Sequence, residues 1–413
     1  MSLTRLLDQP HSTAVDVDKL REQAGVIQSV FMQFGIPATV TRIDSGPTLA
    51  RFSVLPGDKE RKRPQVDVEN EAIQALRTMG YGTAQKPISR AVLNNQISRV
   101  RQYEKRRIRL REIESLENDV ALQLNAYGVR IAAQTTSSGT IGVEVPHATR
   151  GTVGLRELIQ APEWKGTIPV PFGREAGGVV VTHDLAAMPH LLVAGATGTG
   201  KSVFLNALIT SILATRAPTD VRLAMVDMKG VELIQYADVP HMMWSVATEA
   251  ETAQTLLDKL ILEMESRYNT FAKAGVRSIA EYRLSRKMPY IVLVMDELAD
   301  LMEQDKKGTE SRVLRLSQKS RATGIHIVMA TQRPSVNIIT GVIKANVPVK
   351  LAFTVSSQTD SRVIIGEKGA ERLLSNGDAL LQIPGKELTR VQAPLVIDDE
   401  IERVIAAVKG QEQ

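Results

Sequence analysis

The stretch Leu191-Leu-Val-Ala194-Gly195-Ala-Thr-Gly-Thr-Gly200-Lys201-Ser202-Val203 decides the fold. Leu191 to Ala194 is a short apolar run, as expected of a parallel strand buried on both faces. Gly195, Ala196, Thr197, Gly198, Thr199, Gly200, Lys201 and Ser202 then complete the pattern G-x-x-x-x-G-K-[ST]. From Val203 the order Val-Phe-Leu-Asn-Ala-Leu-Ile opens a helix. Glycines let the backbone wrap a phosphate with successive N–H groups pointing inward. The helix N-terminus adds a favourable dipole for the anion. Lys201 is placed to neutralise β/γ-phosphate charge, and Ser202 to give a hydroxyl ligand to Mg²⁺. A chance glycine-rich turn is the bland alternative, and the flanking strand and helix argue against it.

The partner to this loop lies downstream, at Tyr290-Ile-Val-Leu-Val-Met-Asp296-Glu297. Five apolar residues after Tyr290 predict a buried strand. Two carboxylates sit at its carboxyl end, where ligands bind in open α/β sheets. Asp296 suits the Mg²⁺ shell, and Glu297 is placed to orient and deprotonate an attacking water. Further strands are expected at Val221–Asp227, Ile325–Ala330 and Val349–Thr354. A long helix is expected from the capping box Thr248-Glu-Ala-Glu251 to Gly275. After the strand at Ile325 comes Thr331-Gln332-Arg333-Pro334, where Gln332 or Thr331 is the candidate to sense a γ-phosphate.

Composition narrows the remaining options. The 413 residues suit two or three domains, and 43% apolar with 23% charged residues is ordinary for a globular chain. No cysteine is present, which excludes a disulfide scaffold, a Cys-ligated zinc site, an iron–sulfur cluster and a thiol nucleophile, and fits a reducing cytoplasm. Aromatics at 4% argue against a base-stacking platform. His183, His190, His241 and His326 have no metal-ligand spacing, and Met242-Met243-Trp244 reads as packing. No run approaches the roughly 20 apolar residues of a membrane-spanning helix, and the start MSLTRLLDQPHSTAV lacks a signal peptide's apolar stretch.

The part before the phosphate loop reads as mixed α/β. A helix is expected over Asp16–Phe34, strands over Ala38–Ile43 and Thr48–Leu55, and a hairpin from Val129–Gln134 and Thr140–Val145 around Thr135–Gly139. Pro169-Val-Pro-Phe-Gly-Arg174 with Gly177-Gly178 suggests a boundary before the next domain. Residues 59–112 hold 14 Lys and Arg against 6 Asp and Glu, a net of +8, so with +5 overall the remainder carries −3. This basic segment, around the helical stretch Val92–Val100, suits either a nucleic-acid or protein partner, or a solvated charged helix.

Beyond the generic loop, the chain resembles the FtsK/SpoIIIE family of double-stranded DNA translocases. The residues that carry the resemblance run from Pro189-His190-Leu-Leu-Val-Ala-Gly through Asp227-Met-Lys229, Glu232-Leu233 and Val239-Pro-His241 to Glu263-Met-Glu-Ser-Arg267-Tyr268. They continue with Ala330-Thr-Gln-Arg-Pro-Ser-Val336, Thr340-Gly-Val-Ile-Lys344-Ala-Asn346, Phe353-Thr-Val-Ser-Ser357, Asp360-Ser-Arg362 and Gly377-Asp378. The resemblance implies an α/β RecA-like P-loop NTPase motor with a mostly parallel sheet over 186–397, preceded by a smaller mixed α/β domain over 1–185, with a helix or tail over 398–413. It implies ATP and Mg²⁺ as ligands, a homo-oligomeric, hexameric ring around duplex DNA, and ATP held between neighbouring subunits. Arg321, with Arg362 second, is then the candidate arginine supplied in trans, since a guanidinium suits the charge spread over a transferring phosphoryl group. Arg333 and Lys344 would face the DNA.

Three departures qualify the resemblance. Gln358 stands where the family often has Lys. The basic, mainly helical segment at about 59–107 reads as an insertion. The chain ends at Gln413, with no room for a winged-helix module that reads DNA sequence. The resulting expectation is ATP-driven movement along double-stranded DNA without base reading, in the cytoplasm. A secretion or conjugative coupling motor of the same superfamily is the alternative, separated by whether DNA or polypeptide stimulates hydrolysis. A recruitment module with little turnover is disfavoured, because a switch has no need of the Asp296-Glu297 pair.

Overall fold

The first long helix begins where Asp16 can cap it: its carboxylate accepts from the Lys19 N–H at 3.1 Å, and the helix runs Val17–Gln33. Gly35 then turns the chain in the left-handed region, φ +70°. The computed structural model describes residues 3–9, 16–100, 103–106, 108–133, 139–149 and 151–410. They form two units, one of Val15–Asp44 and Ala50–Pro146, the other of Met1–Ala14, Ser45–Leu49 and His147–Gln413.

In the smaller unit, strands β1 (Ala38–Ser45), β2 (Leu49–Pro56), β5 (Arg130–Ala133) and β6 (Ile141–Pro146) form a sheet of order β1-β2-β6-β5. The expected hairpin is β5 and β6, which pair antiparallel, Ile131 opposite Val143; most of its turn, 134–138, lies outside the described residues. Leu20, Ile27 and Phe31 of the first helix pack with Phe52, Val54, Val143 and Val120 into one core. The basic segment is organised as a strand β3 (Lys59–Lys62), helices Gln65–Thr78 and Arg90–Ile97, and a strand β4 (Tyr103–Arg106) that pairs antiparallel with β3. The helix expected at Val92–Val100 therefore starts earlier, at a Ser89 cap, and stops at Ile97. Arg101, Gln102 and Arg107 lie outside the described residues.

The larger unit holds β7 (Pro169–Glu175), β8 (Val180–Asp184), β9 (His190–Ala194), β10 (Val221–Val226), β11 (Tyr290–Met295), β12 (Ile325–Thr331), β13 (Val349–Phe353), β14 (Asp378–Gln382) and β15 (Thr389–Gln392). They make one sheet of order β10-β11-β12-β9-β13-β14-β15-β7-β8. The half from β10 to β13 is parallel, and from β14 on the pairing is antiparallel. Every residue of β9, β11 and β12 is buried, which is why these strands read as continuous apolar runs. Helix Lys201–Thr215 is buried almost all round, including the polar Asn206, which accepts from the Tyr236 hydroxyl at 2.9 Å.

Two local expectations change. The long helix runs Ala250–Ala274, and its N-cap is Glu249 rather than Thr248: the Glu249 N–H donates to the Thr252 hydroxyl at 3.2 Å, and Gly275 ends the helix at φ +69°. Pro169–Arg174 is not a linker loop but strand β7, with Gly177-Gly178 in the turn to β8. Its prolines fall outside the two positions, Arg174 and Glu175, at which β7 pairs with β15; they lie opposite Asp184 and Thr182 of β8, in a ladder whose register shifts between Pro171 and Gly173. Residues 147–185 thus contribute two strands and the helix Leu155–Gln160 to the larger unit.

Candidate nucleotide-binding site

β9 lies between β12 and β13, and the chain leaves it for the far edge of the sheet, so the loop after β9 opens at a topological switch point. The loop is held by its neighbours: the Gly195 N–H donates to Thr331 O at 3.2 Å and the Ala196 N–H to Thr354 O at 2.9 Å. Inside it, the Thr199 hydroxyl donates to Ala196 O at 2.7 Å, and Thr199 O accepts from the Gly377 N–H at 2.9 Å. Gly200 requires glycine twice over. Its φ is +114°, and a Cβ there would lie 2.8 Å from the Gly377 nitrogen.

Lys201 opens the helix and turns inward. Its Nζ donates to Asp296 Oδ1 at 2.6 Å and to Asp296 O at 2.8 Å, and the two side chains are 3% and 2% exposed. The loop and the end of β11 are therefore brought together, as are Glu297, Thr331 and Gln332. Glu297 is buried and caps the helix Leu298–Gln304; its Oε1 accepts the Thr331 hydroxyl at 2.6 Å, and its Oε2 the Gln332 N–H at 3.0 Å. The Gln332 side chain reaches the loop itself, accepting the Thr197 hydroxyl at 2.8 Å. A cavity of about 650 Å³ opens on Gly198, Lys201, Ser202 and Val203. A nucleoside triphosphate fits this site on three counts: volume, a glycine cradle and a buried cation. Ser202 with the Asp296 carboxylate matches the sparse set that Mg²⁺ takes beside substrate phosphates.

Thr48, Thr152, Glu232, Asn376 and Leu395 also line this cavity. Sequence reasoning missed Thr48, Thr152, Asn376 and Leu395 because they come from four separate connections with no local pattern. Glu232 and the neighbouring Gly377 stand out in the sequence only through the family resemblance. Gly377 is held by a second buried pair: Arg390 Nη2 and Nε bond Asp378 at 2.6 and 2.9 Å.

The other predicted residues lie apart from this cavity. Arg321 precedes the start of β12, so roughly 20 Å of strand at ~3.3 Å per residue separates it from Thr331. It is exposed, bonds Ala187 O at 3.1 Å, and lines a different cavity of about 560 Å³. Arg362 is exposed on the helix Gln358–Ile365, with no described carboxylate paired to it. Arg333 is exposed and paired with Glu303, and Lys344 is half-buried on the helix Gly341–Asn346. His190 and His326 are structural. Burial, joined for His190 by the neighbouring His326, pushes them down to about 3 and about 4, and their ring nitrogens bond Ser317 O and Pro189 O.

Comparison with known proteins then places the chain. Residues 155–287 and 281–336 match the model of the FtsK/SpoIIIE family, and residues 2–82 and 96–147 that of the FtsK alpha domain. The chain belongs to the FtsK/SpoIIIE family. "DNA translocase FtsK" of Streptococcus pneumoniae is 38% identical over 98% of this chain and 48% of its own length. Those of Bacillus cereus and Chlamydia trachomatis are 38% and 36% identical over 96% and 94% of this chain. The chain spans about half the length of these FtsK relatives. Of the basic segment expected as an insertion, 59–82 and 96–107 fall within the alpha-domain match, so only 83–95 lies between matched stretches. Among solved structures, the pCW3 conjugation coupling protein TcpA superposes with a TM-score of 0.57 at 21% identity, over 95% of this chain and all of its own. The cytoplasmic domain of the type VII secretion ATPase EccC of Thermomonospora curvata gives 0.53 at 24% identity, over 62% of this chain and 32% of its own. Both likenesses concern the fold. No described helix is long and apolar enough to cross a membrane.

Proposed function

We propose that this chain is an ATP-hydrolysing motor that moves along double-stranded DNA without reading base sequence, working as a homo-oligomeric, hexameric ring. The observation that carries the reading is the convergence of a glycine-cradled loop and Lys201 on one cavity, with Asp296 bonded to Lys201 and Glu297 bonded to the cavity-lining Gln332 behind it, in a chain of this family.

The roles follow from position. Gly195 to Val203 cradle the phosphates through backbone N–H groups. Lys201 turns from Asp296 to the β/γ-phosphates, which frees the carboxylate. Mg²⁺, held by Ser202 and Asp296, would supply charge neutralisation across the phosphate oxygens. Glu297 takes the proton of the attacking water, and Gln332, already bonded to Thr197, senses the terminal phosphate. Arg321 cannot serve its own site from the far end of β12, so its place on a second copy's site is what an exposed arginine there suits; Arg362 is the second candidate. Arg333 and Lys344 contact DNA phosphates, which makes loading salt-dependent and sequence-blind.

The test is hydrolysis of ATP with and without duplex DNA, alongside displacement of a triplex strand. Stimulation by duplexes of unrelated sequence, and strand displacement that Lys201→Ala abolishes, are the expected results. Stimulation by polypeptide and not by DNA would overturn the reading in favour of a secretion-type motor.

A further inference from the structure

Glu297 caps its own helix, yet its carboxylate is held mostly by another element. Thr331, the fully buried last residue of β12, donates its hydroxyl to Glu297 Oε1 at 2.6 Å. The Gln332 N–H donates to Oε2 at 3.0 Å and Oε1 at 3.3 Å, and the Ala299 N–H to Oε1 at 3.3 Å. The Thr331 oxygen itself accepts from the Arg333 N–H at 3.1 Å. That leaves its one proton for Glu297, since the competing acceptor, Arg333 O, is 3.4 Å away. The Arg333 guanidinium in turn pairs with Glu303, on the helix that Glu297 caps. Three consecutive residues thus clasp the phosphate loop, the buried carboxylate and an exposed basic side chain.

We propose that Thr331 is a positioning residue that holds Glu297 off the attacking water until Arg333 leaves Glu303. A general base needs a free lone pair within reach of the proton it takes. Here Oε1 accepts three hydrogen bonds and Oε2 one, which fixes where the carboxylate points, and the shortest contact is a hydroxyl-to-carboxylate bond of the strong, charge-assisted kind. The outer latch is weak by contrast. Arg333 and Glu303 are 62% and 54% exposed, and an ion pair in water is worth little. A DNA phosphate can therefore take Arg333. As the main chain at Arg333 follows, its N–H leaves the Thr331 oxygen and the adjoining Gln332 N–H is drawn off the carboxylate; the hydroxyl is then free to turn, and Glu297 keeps only the Ala299 N–H of its own helix. The DNA limb of this inference rests on the translocase reading; the contact between Thr331 and Glu297 does not.

The experiment is steady-state ATP hydrolysis by the full chain, with and without duplex DNA, for Thr331→Val, Thr331→Ser and Glu303→Gln. Thr331→Val keeps the shape and loses the donor. It should raise DNA-free kcat about tenfold, a ratio equal to ~1.4 kcal/mol, leave KM for ATP unchanged, and shrink the stimulation by DNA in proportion. Thr331→Ser should behave as the unaltered protein, and Glu303→Gln should raise DNA-free kcat by a smaller factor. Lower turnover in Thr331→Val, or an unchanged ratio between the rates with and without DNA, overturns the proposal. If Thr331→Val fails to fold, the exposed Glu303→Gln decides: an unchanged DNA-free kcat overturns it. A rise in Thr331→Val alongside an unaltered protein that duplex DNA does not stimulate supports the Thr331 contact and refutes the DNA reading alone.

Discussion

Lys201→Ala should destabilise the nucleotide-free protein as well as silence it. The ammonium is 3% exposed and lies 2.6 Å from Asp296 Oδ1, itself 2% exposed. Without nucleotide, each charge is the other's ion-pair partner. Removing one partner of a buried pair leaves the second uncompensated, which costs roughly 3–5 kcal/mol. For a unit of this size that is a fall in Tm of roughly 6–15 °C, at about 2–3 °C per kcal/mol. Asp296→Ala should cost a similar amount. The double variant should cost far less than the sum, because it removes both charges together, and the coupling should exceed ~2 kcal/mol. Thermal or urea denaturation of the four proteins without nucleotide measures this cycle. A Lys201→Ala protein as stable as the original, or strict additivity in the double variant, would falsify the argument that this pair bridges β11 and the phosphate loop in the resting state.

Further outcomes are expected. Glu297→Gln keeps the size of the side chain but not its capacity as a base, so hydrolysis should fall by about 10²–10⁴ while nucleotide is still bound; equilibrium binding of a non-hydrolysable analogue alongside turnover separates the two. Gly200→Ala should abolish nucleotide binding, since its Cβ has no space beside Gly377; retained affinity would show that the loop can be redrawn. His190 and His326 are neutral in the folded protein and charged when unfolded below about 6.5, so stability falls as pH falls through that value. Two such groups remove roughly 3 kcal/mol between pH 6.5 and 5, which denaturation at the two pH values reads. Replacing His190 by Gln should flatten that slope by about half. Arg333→Ala should weaken duplex binding evenly across sequences and lower the slope of log affinity against log salt by about 1.

Much of the parallel half of the sheet was legible, because its strands are buried on both faces and their order of residues is apolar without interruption. The phosphate loop was legible for a different reason: Gly198 and Gly200 take positive φ, Gly195 has no room for a Cβ beside Phe353, and Lys201 and Ser202 follow at fixed offsets. The antiparallel half was not. Pro169–Arg174 has the composition of a linker, and only its pairing with β8, and with β15 at its end, makes it a strand. The helix cap at Glu249 was one residue off because a Thr hydroxyl three residues on, not the acid at Glu251, took the free N–H.

Charge followed the same division. The count of +8 over residues 59–112 is a property of the chain, and it correctly separates a basic segment from a slightly acidic remainder. That Lys59–Lys62 pairs with Tyr103–Arg106 across two helices is long-range, and composition says nothing about register. Which residues can hold phosphate is written in local order, because that chemistry is local: a loop, a lysine and a hydroxyl within eight positions. It takes the folded sheet to show that Lys201 rests on Asp296, that Thr331 and Gln332 bond Glu297, and that Arg321, beyond the start of β12, bonds Ala187. Those contacts join residues from 34 to 134 positions apart, and hydrogen bonds and ion pairs at such separations depend on how strands are ordered in the sheet, which no local pattern encodes.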